Sequence, residues 1–582
     1  MSKLMNRSYY KFAFVIAIFF QTLNLKFFGI DFFILEAPLM IWGVLILLYD
    51  GIKGRLNFKT YHVGLLLGYI FCLLLAVRAN IDYATKASYI TVMMQFLIFV
   101  LLYACPKDYA WIDIKKEMRV INKMTCILTF VASSISLLMF LFNITMTRNG
   151  TSIGLIGGDR LFGIYFNSNP ASFLACISIV FSVMSIRNKA KYSSFYYVNG
   201  IVQFFFILLG NCRAAMIILF LMVLMAMYYT IFKRKQFSKP KKIIIACLAA
   251  IVFYFGTGLT QKALYIIPML QGAEISDTGG RFQLDKVVKI LSLVEDGTWK
   301  NRYEIYRLAD EVSSSRITLW ATSYKLWKTS PIIGIGANTL QPMARELYPQ
   351  AHVFEAPQVV HTHNVFIEAL VTAGIAGFVC FLLFFMNSCI TLIELTRKYS
   401  YTKSYFIILL MIFVLMSEFV GGMLDYGIFY TYSLSATLFW IYLGYLHWIN
   451  QMPLLKLVQD SREYDFIDYD LEYIEFNRLK KDMIQDTSIH IISTDFVKEH
   501  ICAVTIAVAV SFQNEKLSVF QYVGYFEVDH DIEHDQKLLD KYKDDMALEI
   551  YEIIKDDIEV LISDSRGKVL LPPVQHSLLK DS

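Results

Sequence analysis

Three groups of polar residues interrupt the apolar body of this 582-residue chain, and their types and spacing are the first sign of chemistry. The first is Gly158-Asp159-Arg160-Leu161-Phe162-Gly163, which runs into Asn167, Asn169 and Pro170. An arginine ahead of a proline-marked helix entrance reads as the wall of a site, with a solvated surface loop as the alternative. The second is the tight hairpin Asn211-Cys212-Arg213-Ala214, where Arg213 is held at a membrane surface between two helices. A snorkelling arginine among lipid headgroups would look the same. Its guanidinium nevertheless suits a diphosphate, because the fork of donors matches phosphate oxygens and the group does not deprotonate. The third group is Arg316, Trp320, Pro331, Gly334 and Gly336, followed by His361-Thr362-His363-Asn364 and then Gly374 and Gly377. This spacing puts a histidine at the mouth of a helix, with small residues deeper in it that permit close helix packing.

These groups must be positioned by membrane helices. The chain is 56% hydrophobic with a mean hydropathy of +0.49, and its apolar residues fall in blocks of roughly 18–22 residues, the length that spans hydrocarbon as helix. Lipid offers backbone groups no partner, so each block must be helical. Twelve spans are predicted: Tyr10 to Phe28, Phe32 to Leu48, Tyr61 to Val77, Ala87 to Ala104, Met124 to Phe142, Gly163 to Ile186, Phe195 to Leu209, Ala214 to Phe232, Ile243 to Leu259, Val365 to Ile390, Ser404 to Met423 and Thr431 to Ile449. The first lacks a small-residue cleavage site and reads as a retained helix rather than a signal peptide. With the N-terminus inside, the inner connections hold 23 Lys and Arg and the short outer connections six, an asymmetry that places both termini in the cytoplasm. The three polar groups then lie on the extracytoplasmic side, the third within a long outer loop of about residues 260–362.

Nine cysteines are present, but none falls between Thr260 and Thr362, where an oxidising compartment would favour disulfides. Cys72, Cys126, Cys176 and Cys247 lie in predicted spans and read as small core residues. His361 and His363 alone are an incomplete metal-ligand set. From Gln451 onward the composition changes: 14 Lys and Arg face 27 Asp and Glu, a net charge of −13 that leaves +18 on the rest of a chain whose total is +5. Such a shift marks a boundary between a membrane domain, 1–450, and an acidic domain, 451–582. Within the latter, Ile501 to Phe512 and Leu517 to Val528 are rich in β-branched and aromatic residues and read as two strands joined at Gln513 to Lys516. Lys537 to Ile562 carries apolar residues at helical spacing and is followed by Arg566-Gly567 and Leu571-Pro572-Pro573. The fold expected is an all-α polytopic membrane body with a large outer loop, plus a small α+β cytoplasmic domain.

In order along the chain, Arg160, Leu161 and Gly163 with Asn167, Asn169 and Pro170, the hairpin Arg213, Arg316 and Trp320 with Pro331, Gly334 and Gly336, and His363-Asn364 followed by Gly374 and Gly377 resemble the O-antigen ligase and O-antigen polymerase superfamily of envelope glycosyltransferases. The resemblance covers about Arg160 to Phe385 and implies a GT-C-like membrane architecture. Cys212 departs from it, standing where the family often has a small hydroxyl residue, and so does the acidic tail. The strand pair, the long helix, Ser565-Arg566-Gly567 and Leu570 to Val574 of that tail resemble a SecB-like export-chaperone domain.

The first resemblance implies a metal-independent glycosyltransferase of bacterial cell-surface polysaccharide biosynthesis, without a cofactor or a nucleic-acid partner. It takes a glycan from a polyprenyl (undecaprenyl) diphosphate carrier and passes it to a sugar acceptor at the outer face of the cytoplasmic membrane. On that reading Arg213 and Arg316 hold the diphosphate and offset the charge that develops on it. His363 takes the proton of the acceptor hydroxyl. Arg160, Trp320, His361 and Asn364 bind and orient substrate. A polymerase joining repeat units is favoured over a ligase that moves a finished glycan to a different acceptor, since polymerisation needs one type of substrate. A flippase of lipid-linked glycans would instead be expected to line a central path with charge. The tail's negative charge suits a basic cytoplasmic protein.

Overall fold

A computed structural model of the protein describes residues 5–30, 33–109, 111–156, 160–188, 190, 192–227, 239–272, 289–290, 292, 302–313, 315–349, 351, 361–399, 405–424 and 433–451 of the body. In the tail it describes 454–457, 464–472, 484–498, 500–512, 517–528, 535–562 and 571–579. The helices of the body are α1 (Arg7–Thr22), α2 (Leu25–Phe28), α3 (Phe33–Ile52), α4 (Val63–Ala79), α5 (Lys86–Leu97, continued by a π turn over Ile98–Tyr103), α6 (Trp111–Leu141), α7 (Ser168–Arg187), α8 (Ser193–Leu209), α9 (Arg213–Met227), α10 (Lys239–Leu270), α11 (Arg302–Val312), α12 (Arg316–Trp327), α13 (Leu340–Leu347), α14 (Val365–Tyr399), α15 (Tyr405–Leu424) and α16 (Leu434–Gln451). Eleven of the predicted spans each overlap one of these helices, and the first is split between α1 and α2 at Leu23 and Asn24; Phe32, 228–232, Ser404 and 431–432 of the predicted spans lie outside the described residues. Among the described residues seven helices are long and apolar enough to cross a membrane, and Val63–Ala79, Ser193–Leu209 and Arg213–Met227 are shorter apolar helices. The chain is a multi-pass, mostly helical membrane protein.

Several span ends differ from the sequence reading, and one sheet is additional. The ninth predicted span does not stop at Leu259, because α10 runs on to Leu270 and the outer loop starts after it. The sixth does not begin at Gly163, which instead closes a strand. The body is also not purely helical: β1 (Thr145–Arg148), β2 (Thr151–Ile156) and β3 (Arg160–Gly163) form an antiparallel sheet between α6 and α7. Arg148 pairs with Thr151 across Asn149 and Gly150, whose φ values of 53° and 69° fit the two-residue turn that matches strand twist.

The core is organised around α16, in which every residue from Leu434 to Ile449 is buried. Gly444 lets it approach α5, since a Cβ there would lie 2.0 Å from the Tyr103 carbonyl oxygen. Buried polar side chains join the helices where apolar contact alone would give no preferred register. Ser133 Oγ bonds both Tyr165 Oη (3.1 Å) and Gln203 Oε1 (2.9 Å), and Gln203 donates to Asn199 Oδ1 at 3.0 Å. Asn199 donates in turn to Ser178 and Ser182 of α7 at 2.9 Å each. Near the N-terminal end of α1, Arg7 pairs with Asp50 and Lys11 with Glu117 (2.8 Å), all four buried. Arg7 and Lys11, counted with the inner connections on sequence, are thus packing elements of the bundle and not surface charges.

In the tail, β4 (Leu454–Leu457), β5 (Tyr464–Glu472), β6 (Ile484–Lys498), β7 (Ile501–Phe512) and β8 (Leu517–Val528) form one antiparallel sheet in the order β4-β5-β8-β7-β6. The helix α17 (Gln536–Ile562) packs on it through Met546, Ile550, Ile554 and Ile558, against Val504, Val508, Tyr522 and Phe526. The β7–β8 pair has the predicted boundaries; β4, β5 and β6 are additional. Gln513 to Lys516, Ser565 to Gly567 and Leu570 lie outside the described residues. Lys116 of α6 meets Glu527 of β8 at 3.2 Å, an exposed pair of the kind that contributes little stability.

Candidate active site

The Arg160 segment is built by local capping. Asn167 caps α7, its Oδ1 accepting the Asn169 N–H at 2.9 Å. Pro170 sits in the first helical turn, where its missing N–H costs nothing. Asn169 is thereby turned toward Arg160, whose Nη2 donates to its Oδ1. The Arg160 guanidinium also lies over Phe162, 5.7 Å from the ring centroid. Gly163, at φ +58°, allows β3 to rest on α6: a Cβ there would meet Ser136 Oγ at 1.9 Å.

Arg213 is the first residue of α9 and is exposed. Its Nη1 donates to the carbonyl of Val312 at 3.2 Å, so the hairpin arginine caps the C-terminal end of α11, where the helix dipole favours a cation. That places it next to the turn into α12, which Arg316 opens. Asp310 fixes this turn. Its two carboxylate oxygens accept from the Thr318 N–H and the Thr318 hydroxyl, each at 2.8 Å, and Ser315 adopts the left-handed conformation (φ 63°) between the helices. Two guanidinium-bearing segments are therefore joined through one helix end.

The histidine segment is fixed still more tightly. Asn364 caps α14, its Oδ1 accepting from Phe366 N (3.0 Å) and Ile367 N (3.1 Å), while its Nδ2 donates to the Met423 carbonyl of α15 at 3.2 Å. Trp320 Nε1 donates to the Thr362 carbonyl at 2.8 Å and ties α12 to this turn. Glu368, one turn into α14, reaches back: Oε2 accepts the Thr362 N–H at 2.7 Å and Oε1 lies 3.2 Å from His361 Nδ1. His361, Thr362 and Glu368 are buried, whereas His363 and Asn364 are partly exposed. His363 has φ 54°, which directs the chain sharply into the helix.

The glycines act on backbone rather than on helix–helix packing alone. Gly374 breaks α14 with φ 64° and ψ −173°. Into that break lies the Pro331–Gly336 segment: Ile335 N bonds the Val371 carbonyl and Gly336 N the Thr372 carbonyl, both at 2.9 Å, and Ile375 N bonds the Pro331 carbonyl at 2.9 Å. A Cβ on Gly334 would stand 2.4 Å from Gly374 N, and one on Gly374 would stand 2.2 Å from the Ile332 carbonyl oxygen. Gly377, next along α14, packs on Cys72 and Tyr69 of α4 as small-residue packing predicts. A broken helix of this kind is tolerated in a membrane protein because protein backbone satisfies the freed groups.

The structure thus links Trp320 to the turn holding His361, His363 and Asn364, and links Arg213 to the helix end beside Arg316. Arg160 is held on a separate element by Asn169. Two residues that fix this geometry escaped the sequence reading. Glu368 is an acidic residue seven positions after His361 in an apolar helix, a placement that by itself signals a partner. Asp310, amid other charges of the outer loop, carries no such signal. Among the described residues no group of three or more His, Cys, Asp or Glu is placed to hold a metal ion.

The family model described as O-antigen ligase matches residues 198–382. The match takes in Arg213, Arg316, Trp320, His361, His363, Asn364, Glu368 and the glycine interlock; Arg160 precedes it. It ends well before the tail, whose SecB-like resemblance gains no support from it. A search of curated proteins returns no match. The arginine hairpin and the histidine turn at the mouth of a broken helix therefore lie within the stretch, residues 198–382, that is similar to the O-antigen ligase family.

Proposed function

We propose that this protein transfers a glycan from a polyprenyl diphosphate to a sugar hydroxyl at the outer face of a bacterial cytoplasmic membrane, and that it polymerises repeat units of a cell-surface polysaccharide. The reading rests above all on the Trp320–Thr362 bond, which fastens the helix opened by Arg316 to the turn that carries His363. A cation and an imidazole on segments locked together in this way are what a phosphate leaving group and a hydroxyl nucleophile require.

In the reaction the acceptor oxygen attacks the anomeric carbon of the donor. The bond from that carbon to the diphosphate oxygen breaks, and its electron pair leaves with the polyprenyl diphosphate. Arg213 and Arg316 stabilise the charge that builds there, at a low-dielectric membrane surface where such donors act most strongly. His363 takes the proton of the acceptor hydroxyl as general base. Arg160, Trp320, His361 and Asn364 bind and orient the sugars. No cofactor or metal enters this scheme. The site opens outward, and the termini and the acidic domain 451–582 lie in the cytoplasm, where the negative tail suits a basic protein partner.

A ligase that moves a finished glycan to a different acceptor would use the same groups. Supplying the purified protein with one lipid-linked repeat unit separates the two. A ladder of products supports the polymerase. Transfer of a single unit, and only when a foreign acceptor is added, rules it out in favour of the ligase.

A further inference from the structure

Glu368 has no part in the scheme above, yet the outer turn is arranged around it. It is 5% exposed and His361 8%. The capping by Asn364 starts α14 so that residue 368 lies one turn in, and from there its carboxylate folds back over the helix end. One oxygen takes the Thr362 N–H at 2.7 Å and the other faces His361 Nδ1 at 3.2 Å. The Thr362 carbonyl is taken by Trp320 Nε1 at 2.8 Å, so residue 362 is held through both its backbone polar groups, directly before His363.

The chemistry of this pair is directional. An ionised carboxylate only accepts hydrogen bonds, so the imidazole nitrogen facing it must carry the hydrogen. In neutral imidazole the other nitrogen then keeps a lone pair. A carboxylate buried at a membrane surface persists only with such partners, and breaking one member of the pair leaves the other unsatisfied.

We infer that Glu368 is a positioning residue that acts through His361: it holds the ring in the Nδ1–H tautomer and in one orientation at the proposed site. This rests on the reading of the outer site as a glycosyl-transfer site. Glu368 itself touches no substrate. It sets the orientation of the His361 ring, and through Thr362 it fixes the backbone from which His363 projects.

Two measurements on the full-length chain test it. In the first, protein labelled with 15N-histidine is reconstituted in lipid nanodiscs, and the ring signals of His361 are identified by their loss in His361→Gln. The Nδ1–H tautomer is expected in the wild type and its loss in Glu368→Gln. A wild-type ring protonated at Nε2 alone, or a tautomer unchanged by Glu368→Gln, overturns the inference whether or not any transfer is observed. In the second, transfer rates are compared for wild type, Glu368→Gln, His361→Ala and the double variant. Glu368→Gln is expected to slow transfer about tenfold, and to add nothing in the His361→Ala background. Effects that multiply would show that Glu368 does not act through His361. Absence of transfer by the wild type would defeat the functional reading, while the tautomer measurement still decides the role of Glu368.

Discussion

Replacing Gly334 with alanine tests the interlock that joins the Pro331–Gly336 segment to the break in α14. The backbone at Gly334 has φ +89°, and an added Cβ would stand 2.4 Å from Gly374 N and 2.5 Å from the Thr372 carbonyl oxygen. These neighbours are backbone atoms, so neither can rotate away. Left-handed geometry costs a residue with a Cβ roughly 1–2 kcal/mol. Overpacking of this severity adds about 1–3 kcal/mol, before any loss from the Ile335–Val371 and Gly336–Thr372 hydrogen bonds that the shift would disturb. Gly334→Ala should therefore lose about 2–5 kcal/mol, a fall in unfolding temperature on the order of 5–15 °C. Gly200 supplies the control. It lies in α8 with no atom within 4 Å of the Cβ position, so Gly200→Ala should gain about 0.4–1 kcal/mol through lower chain entropy. Both variants and the wild type would be heated in detergent at one scan rate, with unfolding followed by tryptophan fluorescence. If all three unfold together, the close backbone approach at Gly334 is not what holds this region.

Trp320→Phe keeps the ring but leaves the buried Thr362 carbonyl without its donor, at about 1–3 kcal/mol; initial transfer rates should fall roughly tenfold, and unchanged rates would detach Trp320 from the histidine turn. In the tail, burial, aided by the nearby Asp495 charge, pushes the Cys502 thiol up to about 12. The folded state therefore holds a proton that the unfolded thiol releases near its ordinary pKa of about 8.5. The associated stability is present below that pH and is lost as pH rises toward 12, and alkylation at pH 8 should be slow in the native tail and fast in denaturant. Equal alkylation rates would contradict the burial of this strand. Residues 1–450 expressed alone should retain transfer activity, since none of the proposed site or positioning groups lies beyond Glu368; an inactive truncation that still folds would assign the tail a direct role.

The parts of this fold legible in sequence are those set by local rules. Apolar blocks of membrane-spanning length fall on the long helices of the described body, because lipid leaves the backbone no other choice, whereas α11, α12 and α13 carry no such block. Val504, Val508, Tyr522 and Phe526 alternate in the tail with a period of two, and the strands they belong to were predictable to the residue. The β1–β2 hairpin had a readable signal, Asn149-Gly150, but the threonines around it were masked by the neighbouring apolar helices. The break at Gly374 was not readable in the same way. A glycine in an apolar helix signals close packing, and only the partner segment forty residues earlier, with Gly334 and Gly336, shows that the approach is backbone to backbone. For the site, residue type gave the arginines and the histidines, whereas Asp310 and Glu368 act through contacts that depend on helix ends meeting in space.

Transfer from purified lipid-linked oligosaccharide in detergent, with wild type and His363→Ala side by side, bears most directly on the proposed chemistry. Product from the wild type and its loss in a variant that elutes and unfolds like the wild type are expected. Turnover by His363→Ala at the wild-type rate would remove the imidazole from the reaction and contradict the mechanism.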